Sequence, residues 1–263
     1  FLLLRISIVS DSAQYQQKKQ QFDNVLTIYG RKPALEALQN REVAIKRIHL
    51  ASSNKRAGIL DDIIRLAEQR DIDIRYCSKI ELSRISKNSR QDQGVAVDLS
   101  LPQLCSLNNF VSSQSINNST RLMLLDGIVN PQNVGMIIRS AAAGGIDAII
   151  IPSKGSADLG PLVIKSSAGA IFRAPIVRCD SVKSALQALK PLDVRFTVLA
   201  ADGDSKITQP LSTQARCFIL GNESEGVSST AREFADERLS IPMQNQIESL
   251  NVAVTAALIA FMT

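Results

Sequence analysis

From residue 120 onward the chain alternates short, nearly unbroken apolar runs with longer stretches of helical period. The runs are residues 122–125, 148–151, 196–200, 217–220 and 239–241. Runs without polar alternation are buried on both faces, so they predict a mainly parallel sheet covered by helices on both sides. Residues 134–143, 161–170, 182–189, 228–234 and 249–262 read as those helices. Earlier in the chain, residues 43–51, 72–77 and 94–99 predict strands, and residues 59–69 an amphipathic helix. A shorter helix over 33–38 has Pro33 near its first turn. The fold class is therefore α/β in two parts: a small α/β sandwich over residues 24–100 and a larger domain over 120–263. Residues 101–119, rich in Ser, Asn and Gln with little apolar periodicity, read as the linker. Residues 1–23 read as an N-terminal arm, disordered or loosely helical.

Composition narrows the class. The 263 residues, 45% of them hydrophobic, suffice for proper cores. The apolar stretch over residues 1–9 is broken by Arg5 and Ser7, well short of the roughly 20 residues a membrane-spanning helix needs. The expectation is a cytoplasmic protein with no membrane partner. Cys77, Cys105, Cys179 and Cys217 lie far apart with no CxxC spacing, as small buried hydrophobes in a reducing compartment would. His49 is the single histidine, which leaves almost no room for a Ser-His-Asp triad or a histidine-held metal, so no metal is expected. The net charge of +5 is unevenly spread: 17 Lys and Arg face 12 Asp and Glu in residues 1–120, against 13 and 13 in residues 121–263. A basic module joined to a neutral one fits a polyanion-recruiting domain beside a catalytic one; ordinary solvated surface fits +5 equally well.

Three polar stretches bearing Gly or Pro, 130–139, 220–226, and 241–243 with 249–251, sit where apolar runs stop. Open α/β sheets place ligand-binding residues at such points. There is no G-x-G-x-x-G or phosphate loop, and Gly144 and Gly145 close a helix instead of opening one, which counts against NAD, ATP and the common Rossmann-type methyltransferases. In the first stretch Asp126 and Asn130 follow a strand, Pro131 stiffens the turn, and Asn133 stands at a helix start, where Asn caps well. Arg139 falls two turns in, and faces the same end of the sheet only if the helix lies across it. Taken singly, Asn133 reads as a cap and Arg139 as a surface cation. Ahead of the 33–38 helix, Gly30, Arg31 and Lys32 set mobile basic groups beside free backbone N–H donors.

Asn133-x-Gly135-x-x-x-Arg139, then Gly221-Asn222-Glu223-x-x-Gly226, then Ile241-Pro242-Met243 with Ser249-Leu250-Asn251-Val252 resemble, in order, the three motifs of the SpoU (TrmH) family of RNA ribose 2′-O-methyltransferases. Residues 165–170 extend the match. Through residues 28–38 and 93–96 the first domain is similar to the substrate-binding domain of the branch that methylates a guanosine of 23S-type ribosomal RNA. The resemblance implies a trefoil-knotted, SPOUT-type sheet behind an L30e-like domain, S-adenosyl-L-methionine as cofactor, RNA as partner, and a homodimer whose site is completed across the interface. It implies that Leu220, Gly221, Asn222, Gly226, Ile241, Pro242, Met243, Ser249 and Leu250 cradle the cofactor, with Asn222 and Ser249 as hydrogen-bonding candidates. Arg139 is the family's catalytic arginine; because guanidinium stays protonated, it is expected to orient the ribose or its phosphate and stabilise the developing alkoxide. Glu223 would hold Arg139 or Asn133, and Ser249 and Asn251 would complete the pocket. Arg31, Lys32, Arg139 and Lys165 are the expected RNA contacts. Two departures stand out: Asn130 where the family often has Asp, and Asp92 where His commonly precedes Gln-Gly. A transfer-RNA ribose methyltransferase and a non-catalytic RNA-binding or assembly protein on the same fold are the competing readings.

Overall fold

The computed structural model describes residues 25–262 apart from 42, 102–103, 114–115, 201–202, 204 and 207–213; the arm read over 1–23 lies outside them. The chain divides into two compact units, residues 1–102 and 103–263.

In the first unit β1 (Val25–Tyr29), β2 (Ile45–Ala51), β3 (Ile74–Cys77) and β4 (Val95–Ser100) form a sheet in the order β1-β4-β2-β3. Strand β4 runs antiparallel to β1 and β2, and β2 parallel to β3. Helices α1 (Arg31–Gln39) and α2 (Ile59–Gln69) pack on each other. Helix α3 (Lys79–Ser86) lays Leu82 and Ile85 on Ala51, Cys77 and Ala96. Ala96 and its neighbours Val95 and Val97 point to opposite faces of the pleat, and all three are buried, so the sheet is covered on both sides.

The second unit is an eight-stranded sheet whose described pairings are all parallel, in the order β10-β12-β9-β11-β6-β7-β8-β5. Its strands are β5 (Cys105–Ser106), β6 (Arg121–Leu125), β7 (Ala148–Pro152), β8 (Ile176–Cys179), β9 (Arg195–Leu199), β10 (Ser205–Lys206), β11 (Arg216–Leu220) and β12 (Glu237–Ser240). Its helices are α4 (Leu107–Ser113), α5 (Pro131–Ala143), α6 (Pro161–Ser166), α7 (Val182–Leu189), α8 (Ser229–Phe234) and α9 (Val252–Ala260). One face buries Leu122, Leu124, Ile150, Phe196, Val198 and Ile219 against Ala185, Leu186 and Leu189 of α7. The intervening Met123, Leu125 and Phe218 are buried on the other face, where α5, α6 and α9 pack together. A Cβ on Gly135 of α5 would lie 1.9 Å from Ser166 Oγ and 2.7 Å from the Val163 carbonyl oxygen. That glycine of the first motif is thus required by helix packing against the residues 165–170 motif.

Several expectations change. Residues 101–119 are no linker: β5 extends the large sheet beside β8, and α4 buries Leu107 and Phe110 in its core. Leu107 and Phe110, one turn apart, are the buried residues of α4, hidden among Ser, Asn and Gln. The helix expected over 161–170 stops at Ser166, because Ala168 and Gly169 take left-handed conformations before a 3-10 turn at Ala170–Phe172. The last helix begins at Val252, not 249, leaving Ser249 and Leu250 in the preceding loop. Cys77, Cys179 and Cys217 are buried free thiols, and burial pushes the Cys179 thiol up to about 11 and the Cys77 and Cys217 thiols upward too, so they pack as hydrophobes; Cys105 is half-buried on β5. Among the described residues no helix is long and apolar enough to cross a membrane, and no cluster of His, Cys, Asp or Glu is placed to hold a metal ion.

Candidate functional site

Strands β7 and β8 lie on one side of β6, and β11, β9 and β12 on the other, so the winding of the sheet reverses between β6 and β11. Such a switch point leaves a crevice at the carboxyl ends of the strands. Here the two strand ends are tied together: the Asp126 backbone N–H donates to the Leu220 carbonyl at 2.8 Å, and Asn222 Nδ2 donates to the Gly127 carbonyl at 2.9 Å. The buried Asp126 carboxylate also accepts the backbone N–H of Ser228, the cap of α8, at 2.6 Å.

Residues 221–226 form a closed turn. Asn222 and Gly226 exchange both backbone hydrogen bonds at 3.0 and 2.9 Å, and Asn222 Oδ1 accepts from the Ser224 N–H at 2.8 Å. A Cβ on Gly221 would stand 2.2 Å from the Gly226 carbonyl carbon. Glycine at 221 is therefore demanded by the turn itself, ahead of any ligand. The Asn222 amide, expected to be available to a cofactor, is occupied at both its oxygen and its nitrogen.

Beside the turn opens a cavity of about 420 Å³, within the roughly 300–1,000 Å³ of small-molecule sites. Leu220, Gly221, Asn222, Gly226, Ile241, Pro242, Met243, Ser249 and Leu250, all expected around a cofactor, line it, and so does Glu223. Val252 of the third motif lines it too, and so do Leu199 and Ala200 at the end of β9, Leu239 and Ser240 of β12, and Ile247, Glu248 and Thr255, which escape the sequence reading. The β9 residues come to lie beside β11, and the β12 residues beside β9, only through a strand order that the chain order does not reveal. Thr255 carried a signal, being the one polar residue of α9. Leu199, Leu220, Leu239, Ile241, Leu250 and Val252 give the cavity an apolar wall, and Ser240, Glu248, Ser249 and Thr255 give it polar points, a combination that suits a flat aromatic ring with a polar tail.

The three motif stretches meet at Asn133. Its Nδ2 donates to Glu223 Oε1, and its Oδ1 accepts from Asn251 Nδ2 at 3.1 Å. Asn251 Oδ1 in turn accepts the Ala253 N–H at 2.9 Å and so caps α9. Asn133 is buried and is not a cap: Asn130 takes that place, accepting the Gln132 N–H at 2.9 Å with Pro131 opening the helix. Releasing Asn133 from capping is what leaves its amide for the bridge.

Arg139 stands apart from this bridge. Six residues beyond Asn133 it lies about 120° away around the helix, exposed, with no hydrogen bond or ion pair to another described residue. Glu223 therefore holds Asn133 and not Arg139. Lys165 is exposed on α6 and Lys32 on α1. Arg31 is anchored where mobility was expected: its Nε donates to the Gln93 carbonyl at 3.3 Å, its Nη2 to Asn54 Oδ1 at 3.4 Å, and its backbone N–H to Gln93 Oε1 at 3.2 Å.

An uncharacterized tRNA/rRNA methyltransferase of Mycobacterium sp. strain KMS is 28% identical over 251 residues, 94% of this chain and 79% of its own length. A protein of Staphylococcus saprophyticus, whose name places it among TrmH family tRNA/rRNA methyltransferases, is 27% identical over 90% of this chain and 94% of its own. Among solved structures, the SpoU methyltransferase AviRb of Streptomyces viridochromogenes in complex with AdoMet shares the fold, with a TM-score of 0.60 at 21% identity over 91% of this chain and 89% of that one. The AdoMet-bound rRNA methyltransferase of Sinorhizobium meliloti does so at 0.60 and 19%, over 94% and 89%. Residues 27–104 match the RNA 2′-O ribose methyltransferase substrate-binding domain. Residues 120–261, more than half the chain and all of the cavity and bridge, match the SpoU rRNA methylase family, and to that family of RNA methyltransferases the chain belongs.

Proposed function

We propose that this chain transfers the methyl group of S-adenosyl-L-methionine to a ribose 2′-hydroxyl of RNA, that of a guanosine in 23S-type ribosomal RNA, as a cytoplasmic homodimer on a trefoil-knotted sheet. The observation that carries the reading is the bridge Asn251–Asn133–Glu223, which draws three distant stretches to one cavity. The cavity's apolar wall suits adenine and its polar points suit the ribose and amino-acid ends of the cofactor. The ribosomal substrate is supported by the family's name and by the S. meliloti rRNA methyltransferase, which spans both units.

When bound, the cofactor supplies an electrophilic methyl group on sulfonium sulfur. The chain's own part is to hold the reactants in line and to stabilise charge. Glu223 and Asn251 fix the Asn133 amide at the cavity's edge. Arg139 orients the ribose or its phosphate and offsets the negative charge growing on the attacking oxygen, while water or phosphate accepts the proton.

Helix α9 supports the homodimer. Apart from Thr255 it is apolar all round, and such a helix is normally covered all round. Yet Val254, Leu258 and the following Phe261 are 47%, 45% and 61% exposed, and Met136 on the adjoining α5 is 40% exposed. A second copy seated on this face would cover them. It would also carry Arg139, one turn beyond Met136 on the same exposed stripe, toward the partner's cavity.

The test is a calorimetric titration of the purified chain with S-adenosylmethionine, followed by methyl transfer to unmodified ribosomal and transfer RNA with mapping of the 2′-O-methyl mark. No cofactor binding overturns the reading. Transfer confined to transfer RNA overturns the ribosomal substrate, and binding with transfer to no RNA favours the non-catalytic role.

A further inference from the structure

The first unit has a concave site of its own, a cup of about 560 Å³ at the edge of the sheet where β2 and β3 end. Four segments build it: Arg31 at the start of α1, residues 53–54 after β2, Lys79 at the start of α3, and residues 89–90 with 92–94 ahead of β4. Asn54 organises the floor, donating from Nδ2 to the Gly94 carbonyl at 2.7 Å while its Oδ1 accepts from Arg31. The Arg31 guanidinium is thus held in place on the rim. Lys79 and Arg90 complete the cation set, and both are exposed with no hydrogen bond or ion pair to another described residue.

Three cations share the cup with one carboxylate, and that carboxylate faces inward. Buried Asp92 accepts from the Gly94 N–H at 2.9 Å and from Ser86 Oγ at 3.1 Å. The cup is left with uncompensated positive charge around hydrogen-bonding amides, which selects an anion with several oxygens. Along the chain, on either side of Lys79, Tyr76 and Ile80 are 55% and 69% exposed. Arg56, from the loop after β2, lies against the Tyr76 hydroxyl, which raises the Arg56 pKa. A small anion has no use for an exposed ring and an aliphatic side chain next to the cations. A single-stranded stretch of RNA has, since it presents phosphates and unstacked bases side by side.

We propose that this cup anchors RNA: Arg31, Lys79 and Arg90 hold a phosphodiester, and the adjoining unpaired base stacks on Tyr76. The inference rests on the RNA substrate proposed above and gives the first unit's share of it a location. It also departs from the sequence expectation by replacing Lys32, which does not line the cup, with Lys79 and Arg90.

The experiment measures binding of the full chain to 23S-type ribosomal RNA, and separately to transfer RNA, by fluorescence anisotropy across a range of salt. Lys79→Gln and Arg90→Gln should each weaken binding severalfold and reduce the slope of log K against log salt by about one. Tyr76→Ala should weaken it roughly fivefold or more with the slope unchanged, because stacking is worth about 1–3 kcal/mol per base and releases no counterions. Lys46→Gln, near the opposite end of β2, is the charge-matched comparison, and S-adenosylmethionine affinity should be the same in all four. If the wild type binds RNA and the cup variants match Lys46→Gln, the cup is overturned alone. An unaltered affinity in Tyr76→Ala removes the stacked base. A wild type that binds neither RNA overturns the proposed function together with the cup.

Discussion

The two concave sites of this chain are built by opposite means. The cup of the first unit gathers cations on turns with little to neutralise them, whereas the cavity of the second is bordered by amides and a carboxylate already bonded to one another beside an apolar wall. Charge held open to solvent attracts a polyanion from a distance and is screened by salt. A pre-bonded bridge of two amides and one carboxylate carries far less charge than the cup, and it costs no reorganisation when a ligand arrives. The difference teaches a division of labour: the first site recruits and the second positions. Salt should accordingly weaken RNA binding steeply and leave cofactor affinity nearly flat.

The sharpest way to break this contrast is Gly221→Ala. The added methyl would sit 2.2 Å from the Gly226 carbonyl carbon, against backbone that cannot swing aside. The turn must open, and the cavity wall moves with it. Cofactor affinity measured by calorimetry should fall at least a hundredfold, about 2.7 kcal/mol, while RNA binding holds. Undiminished cofactor binding would mean that the turn is not what shapes the cavity.

Next comes Arg139→Ala. With no bond from Arg139 to another described residue, its removal should leave folding and cofactor affinity alone. Methyl transfer should drop at least tenfold, about 1.4 kcal/mol of transition-state stabilisation. Unchanged turnover would remove Arg139 from the chemistry. Asn133→Ala works through the bridge instead: it strands Glu223 and Asn251, at a cost of about 1–3 kcal/mol for the lost partner. Thermal unfolding of the second unit should shift down and cofactor affinity should weaken; a variant as stable as wild type would show that the bridge organises nothing.

These variants also mark what was legible beforehand. Part of the wall of the cavity was readable, because residues 220–226, 241–243 and 249–251 announce themselves as polar, Gly- or Pro-bearing breaks where apolar runs stop. Ser240 was not, since strand order is a long-range property that local pattern does not encode, and Thr255 showed only as the lone polar residue of an apolar helix. Asn133 taken singly read as a cap, because Asn130 and Asn133 both suit that place; Pro131 at the first helical position decides it for Asn130, and only the resemblance to a motif placed Asn133 in the site. Helix α3 was missed although Ser78 and Glu81 form a capping box, with the Ser78 N–H donating to Glu81 Oε2 at 2.9 Å. Strand β8 was lost because Arg173 and Arg178 interrupt an otherwise apolar stretch. The edge strand β5 was lost because it is only two residues long, and α4 because Ser and Asn surround its two buried residues, Leu107 and Phe110.

The smallest effect is expected away from both sites, and it asks whether the two units can be perturbed separately. Asp98 on β4 accepts from Thr27 Oγ1 at 2.7 Å and pairs with the buried His49 at 2.7 Å. Burial alone would raise its carboxyl pKa, but the hydrogen bonds from His49 and Thr27, with the nearby charges of His49 and Arg47, outweigh burial and hold it below its ordinary value. A carboxylate whose folded pKa is depressed contributes stability that is fully present above its unfolded pKa, near 4, and is lost as pH falls through the lower folded value. Asp98→Asn keeps the shape and removes the charge, so at pH 7 it should destabilise the first unit by about 1–2 kcal/mol. The gap between wild type and variant in urea unfolding should shrink once the pH falls below about 4. Cofactor affinity, which belongs to the second unit, should not move at either pH. A gap that persists undiminished as the pH falls would assign the loss to packing and not to the ionised carboxylate, and a change in cofactor affinity would mean that the recruiting and positioning units do not act independently.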